Sequence, residues 1–246
     1  MAIDLRRYIV GGYFLSVPRP EPDPHAQMPR LVTLGADHSP RRFFPFASLM
    51  TWTSSDDAEV AAGAAPFRLD SALLQQARRW ADEEFGQTFG AWHAIYSLAA
   101  ARRMAATFLR QAEELELWGV GLPISLVGRF LKQSTPAPSP PGYAPIGTGA
   151  VHDMVARRRP VAGGGTPLGH EILCYEMVDF QSVESRHGDP SDVLARTRVQ
   201  PNDLGLIDTL AAARRVAVAT DPTLGLRGGW QRTDWMPWLV VRYRLG

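Results

Sequence analysis

Apolar residues follow two rhythms along this chain, and the change from one to the other outlines its elements. Residues 7–17 (RYIVGGYFLSV) are dense in β-branched and aromatic side chains and read as a first strand, with Gly11 and Gly12 marking a bulge or a close backbone approach. The proline-rich segment 18–30 that follows suits only an extended surface connection. Short apolar runs at 31–34 and 43–52 are expected strands, the second limited by Pro45. From Asp70 the period changes to three and four. Asp70 is a side-chain acceptor ahead of SALLQQARRWADEEF, and Leu73, Leu74, Ala77, Trp80, Ala81 and Phe85 then share one helical face. A second, longer helix is expected over 91–117, burying Trp92, Ile95, Tyr96, Ala99, Phe108 and Leu109. The short connection makes the two helices an antiparallel pair. Gly119 and Gly121 close that unit, and a third short helix is expected over 123–132 with Pro123 in its first turn.

Residues 133–150 (QSTPAPSPPGYAPIGTGA) lack the apolar content to offset ordering and read as a linker or long loop. Beyond it come a strand over 170–180, apolar without clean alternation as in a strand covered on both faces, and a helix over 204–219 capped by Asn202 or Asp203. A closing strand follows over 235–245. The sum is an α+β fold: N-terminal strands and a central helical hairpin packed with a C-terminal β-α-β unit on a mixed sheet. The 246 residues fit a single domain, with a subdivision into 1–132 and 150–246 about the 133–149 loop as the alternative.

Charge excludes little and directs less. Of 26 basic side chains only Lys132 is a lysine, and 25 acidic residues balance them to a net +1. Such a chain has no overall field to draw it onto nucleic acid, which is not an expected partner. One cysteine, Cys174, allows no intrachain disulfide and favours a reducing cytoplasm. No apolar run reaches the ~20 residues of a membrane span, and the N-terminus lacks the small-residue cleavage site of a secretion signal.

Candidate chemistry is sparse. Gly163, Gly164, Gly165 and Gly169 suggest a phosphate cradle, but a strand follows where a helix is required, and no Lys-Ser/Thr pair is present. A turn leading into a strand is the simpler account. His170 and Cys174 stand about 13 Å apart along an extended strand, at ~3.3 Å per residue, too far for a dyad. Cys174 thus reads as a core thiol. The loop QSVESRHGDPSD groups Glu184, His187, Asp189 and Asp192, which with Glu176 or Asp179 have the composition of a hard-metal or acid–base cluster. Glu176, His187 and Asp189 are the catalytic candidates, and His187, Asp189 and Asp192 the metal-binding ones. The same loop also reads as a polar turn opened by Asp189-Pro190, with Ser191 or Asp192 capping a short helix. No cofactor is expected. Trp230, Arg232 and Trp235 are candidates for a protein interface, since tryptophan and arginine make hot spots, and WMPWLVVRY also has core-strand alternation.

The strings GHEILCYE, VQPNDLGLID and WMPWLVVRYRL together resemble a pattern in uncharacterised single-domain bacterial proteins of the kind encoded beside polymorphic toxins. The resemblance covers roughly the last 80 residues and implies a cytoplasmic immunity or antitoxin module that occludes a partner protein, with no catalytic residue. A sequence pI of about 8.0 departs from the acidic character expected of immunity proteins that neutralise nucleases. A metal-assisted hydrolase built on the 176–192 region and a structural subunit of a larger assembly are the alternatives.

Overall fold

The computed structural model describes residues 3–18, 41–43, 67–85, 95–135, 149–176, 179–182, 191–220 and 234–246. Its frame is a six-stranded sheet built from β1 (Tyr8–Pro18), β2 (Arg41–Phe43), β3 (Glu116–Pro123), β4 (Thr166–Glu176), β5 (Asp179–Ser182) and β6 (Met236–Tyr243). The strand order is β2-β1-β3-β6-β4-β5. Strands from either side of 133–149 thus share one sheet. Its helices are α1 (Ser71–Phe85), α2 (Leu98–Phe108), α3 (Val127–Ser134), α4 (Gly149–Ala156), α5 (Ser191–Thr197) and α6 (Leu210–Ala219). The fold class is α+β, as expected from the two rhythms.

Three expectations are corrected. Every pairing among the described residues is antiparallel, where a mixed sheet was expected. β4 and β6 are antiparallel neighbours, so α5 and α6 between them form an excursion over the sheet and not a parallel crossover. The long second helix is split. Ser97 caps α2, its Oγ accepting from the Ala100 amide at 3.0 Å, and the chain beyond residue 115 becomes β3, an inner strand. Gly119 and Gly121, read as helix terminators, are strand interior. A Cβ at Gly119 would lie 2.8 Å from the Tyr243 ring, and one at Gly121 would lie 2.6 Å from Val161 and 3.0 Å from Tyr8 Cβ, so both glycines make room for neighbouring side chains. The third correction concerns only the ends of the 133–150 segment: Gln133 and Ser134 close α3, and Gly149 and Ala150 open α4, whose Val151, Met154 and Val155 are buried, while 136–148 lie outside the described residues.

Other local signals hold. Asp70 caps α1, its Oδ1 accepting from the Leu73 amide at 2.7 Å. The register of β1 shifts between Val10 and Gly12, the bulge expected at the glycine pair. Pro123 precedes the short 3₁₀ turn Ile124–Leu126 that leads into α3. α6 starts later than expected, with Thr209 as its cap. Asn202 works instead on the turn before it: Oδ1 accepts from the Leu204 and Leu206 amides at 3.0 and 3.1 Å, while Nδ2 donates to the Leu168 carbonyl at 2.9 Å and to Asp208 at 2.8 Å. Replacing this four-bond side chain by alanine is expected to cost about 2–3 kcal/mol, since the polar groups left behind are partly sheltered. Urea unfolding of Asn202→Ala checks this, and a loss below about 0.5 kcal/mol counts against the turn as a structural anchor.

Two apolar clusters cover the sheet. The larger joins β1, β3 and β6 to residues of α1 through α4, with Trp80 of α1 against Phe108 of α2 at 5.8 Å between ring centroids. The smaller joins Ile172 and Cys174 of β4 to Val193, Leu194, Ala213, Val216 and Trp235. Leu173, between Ile172 and Cys174, belongs to the larger cluster, so β4 is covered on both faces.

Candidate functional site

β4 brings a histidine into the core and gives it two fixed partners. His170 is fully buried; its Nδ1 lies 3.0 Å from the Ile207 carbonyl and its Nε2 lies 2.9 Å from the Tyr8 hydroxyl. A carbonyl only accepts, so Nδ1 carries the proton and Nε2 accepts from Tyr8. The main chain reinforces this arrangement, because His170 and Ile207 exchange both amide–carbonyl bonds at 2.8 and 2.9 Å. Burial pushes the His170 pKa down, opposed by its bond to the Ile207 carbonyl and by the charge of Asp208. Burial likewise raises the Tyr8 pKa, against the charges of Arg7 and Arg214. Chemically this is a neutral polar staple between β1 and β4, with both imidazole nitrogens occupied.

Arg214 leads from that staple to the surface. It stands in α6, exposed, and its Nη2 donates to Ser125 Oγ at 2.6 Å, which ties α6 to the turn entering α3. Ile124 beside Ser125 is 53% exposed, and Val218, one turn beyond Arg214 on α6, is 83% exposed. Arg196 of α5 reaches the Ala219 carbonyl with Nη2 at 3.4 Å, placing another guanidinium at the far end of the same helix. The result is a surface of aliphatic and arginine side chains on a framework joined by side-chain bonds.

A second histidine pair lies between α3 and α4. Ser134 Oγ donates to the Phe130 carbonyl at 2.8 Å and stands 2.7 Å from His152 Nδ1, so with its one proton committed it accepts from the imidazole. Burial lowers the His152 pKa, opposed by Asp153. A cleft of about 600 Å³ opens beside Leu109, Leu115 and Leu245. Its Arg102 is committed to the Arg244 carbonyl, at 3.1 and 3.2 Å, and its Arg110 to the Ala106 carbonyl.

The residues singled out in the sequence fare unevenly. Glu184, His187, Asp189, Trp230 and Arg232 lie outside the described residues. Glu176 ends β4, and the register sets it opposite Asp179 in the β4–β5 hairpin. Asp192 is exposed in the first turn of α5. Among the described residues no group of three or more His, Cys, Asp or Glu side chains stands where it could hold a metal ion. Trp235, an interface candidate, is 4% exposed and packs inside the smaller cluster, so its indole supports the α5–α6 layer from within. Cys174 is buried in the same cluster. Gly164 has φ +79° in an open turn, and Gly165 passes against Val241 and Tyr243, which fits a tight turn into β4.

Sequence reasoning missed the Ile124–Arg214–Val218 surface. Its one available signal was Val218 standing four positions after Arg214, on the polar side of an otherwise amphipathic helix. No helix among the described residues is long and apolar enough to cross a membrane. Comparison with known protein families, with curated proteins and with solved structures finds no match to this chain.

Proposed function

We propose that this chain is a cytoplasmic protein-binding module of the immunity or antitoxin type, which occludes a partner toxin or effector. The observation that carries the reading is the surface at Ile124 and Val218. These are aliphatic side chains held in water at 53% and 83% exposure, on two segments joined by the 2.6 Å Arg214–Ser125 bond. Covering such side chains releases roughly 25 cal/mol per Å² of apolar area, and a framework already in place loses little entropy on binding. The arginines around them supply the polar rim usual for a protein interface.

The test is affinity capture from a native lysate of the source cell, using the tagged chain and its Ile124→Asp/Val218→Asp double variant. A stoichiometric protein recovered with the native chain, and reduced about tenfold or more with the variant, is the expected result. Repeated recovery of no stoichiometric protein, or equal recovery by both chains, overturns the reading.

A further inference from the structure

Resting on the protein-binding reading, we propose that the partner presents an acidic protein face with an apolar centre to the outer side of α6. Helix α6, LAAARRVAVA, contains two arginines and no acidic residue. Arg214, Arg215 and Val218 are all exposed, and spacings of three and four put them on one helical face. Two further guanidiniums extend the cationic character. Arg196 lies against the Ala219 carbonyl at the C-terminal end of α6. Arg7 is exposed next to Tyr8, the residue whose hydroxyl feels both the Arg7 and the Arg214 charge.

Among the described residues, the exposed acids of this layer stand at its margins. Asp192 is in the first turn of α5, and Asp203 and Asp208 precede α6, with Asp208 bonded to the Asn202 amide. Among the described side chains, the middle of the face therefore carries Arg214 and Arg215 around Val218, and the Arg214–Ser125 bond joins it to the segment that bears Ile124.

That combination selects among anions. Guanidinium groups pair with carboxylates through two parallel bonds and lose less hydration than ammonium groups in doing so. Phosphate backbones would satisfy the arginines equally well, but they offer nothing to cover an isopropyl group that is 83% exposed. Nucleic-acid interfaces are more polar and more uniformly cationic than this one. An acidic protein surface with aliphatic residues at its centre satisfies both features.

The proposal is tested by titrating the full chain against three labelled probes and following fluorescence anisotropy. The probes are an amphipathic helical peptide of Glu and Leu, the same peptide with Lys for Glu, and a single-stranded oligodeoxynucleotide of the same net charge as the acidic peptide. The acidic peptide is expected to bind about tenfold or more tightly than either other probe, and to weaken several-fold as salt rises from about 50 to about 300 mM. Arg214→Glu/Arg215→Glu and, separately, Val218→Asp are each expected to weaken it about tenfold, with unchanged circular dichroism. Arg215→Glu alone, at an exposed position, provides the charge change should the double variant fold poorly. Absence of acidic-peptide binding overturns the proposal, as does equal affinity for the oligonucleotide with indifference to Val218→Asp. A captured partner that is lost with Ile124→Asp/Val218→Asp but retained by Arg214→Glu/Arg215→Glu overturns the acidic partner and leaves the protein-binding function standing.

Discussion

Trp238→Ala is expected to cost about 3–5 kcal/mol of folding stability, lowering Tm by roughly 10 °C or more. Trp238 is 1% exposed in the inner strand β6, the largest fully buried side chain among the described residues. Its ring meets Phe130 of α3 edge-on, with centroids 5.3 Å apart and planes at 84°. On the β1 side it reaches the bulge, where a Cβ on Gly11 would come within 2.5 Å of its Cζ3. One indole thus fills the space between three elements, and no nearby side chain can collapse into its place without moving β1 or α3. Urea unfolding gives the measurement. A loss below about 1.5 kcal/mol shows that the site relaxes and that the packing around Gly11 is not rigid.

Acid is expected to destabilise the protein over the range in which most carboxylates are still charged. Burial depresses the pKa of both His170 and His152 in the folded state, whereas in the unfolded chain histidine titrates at about 6.5. Above that value both states are neutral and the stability is complete. As pH falls below it, the unfolded chain takes up protons that the folded chain refuses, and stability declines by up to about 1.4 kcal/mol per pH unit for buried His170 until its folded-state pKa is reached, with a smaller, solvent-screened share from half-buried His152. Unfolding free energies between pH 7.5 and 5.5 read this slope directly. Replacing Tyr8 alone by Phe leaves His170 Nε2 without its donor and costs about 1–3 kcal/mol at neutral pH. The Tyr8→Phe/His170→Leu pair removes both partners, so its cost is expected to be less than the sum of the single losses, and its acid slope to fall to the His152 share. An unchanged slope in the double variant assigns the protons elsewhere.

The N-terminal strand, the capped helix after Asp70, the β4 run and the closing strand were legible because each rests on a local signal: β-branched density, a side-chain acceptor, or an apolar run of the right length. β3 was not legible. Its Gly119 and Gly121 act like punctuation in one dimension, and the reason for them is a set of rings from β1 and β6 that only the folded sheet brings near. α4 was hidden for a related cause, since a helix opening at a glycine beside a proline-rich run announces itself only through Val151 and Val155 meeting the core. At the candidate surface, the arginines of α6 were visible, but their proximity to Ile124 depends on a contact between positions 125 and 214. The Tyr8–His170 bond spans a still longer separation, and no spacing rule predicts it.

The position of β6 sets the order in which this protein can be assembled. β6, the last of the described strands, lies between β3 and β4, so until residues 236–243 have been synthesised the two halves of the sheet share no paired strand. β1 must likewise wait for β3, about a hundred residues later. A sheet whose inner pairings are all distant in sequence has high contact order and closes slowly, leaving its apolar strands exposed while the ribosome is still at work. Closure of this sheet therefore waits for Met236–Tyr243, and a nascent chain stalled short of Met236 would lack the strand that pairs with both β3 and β4, leaving contacts such as the Tyr8–His170 bond as the links between its two halves.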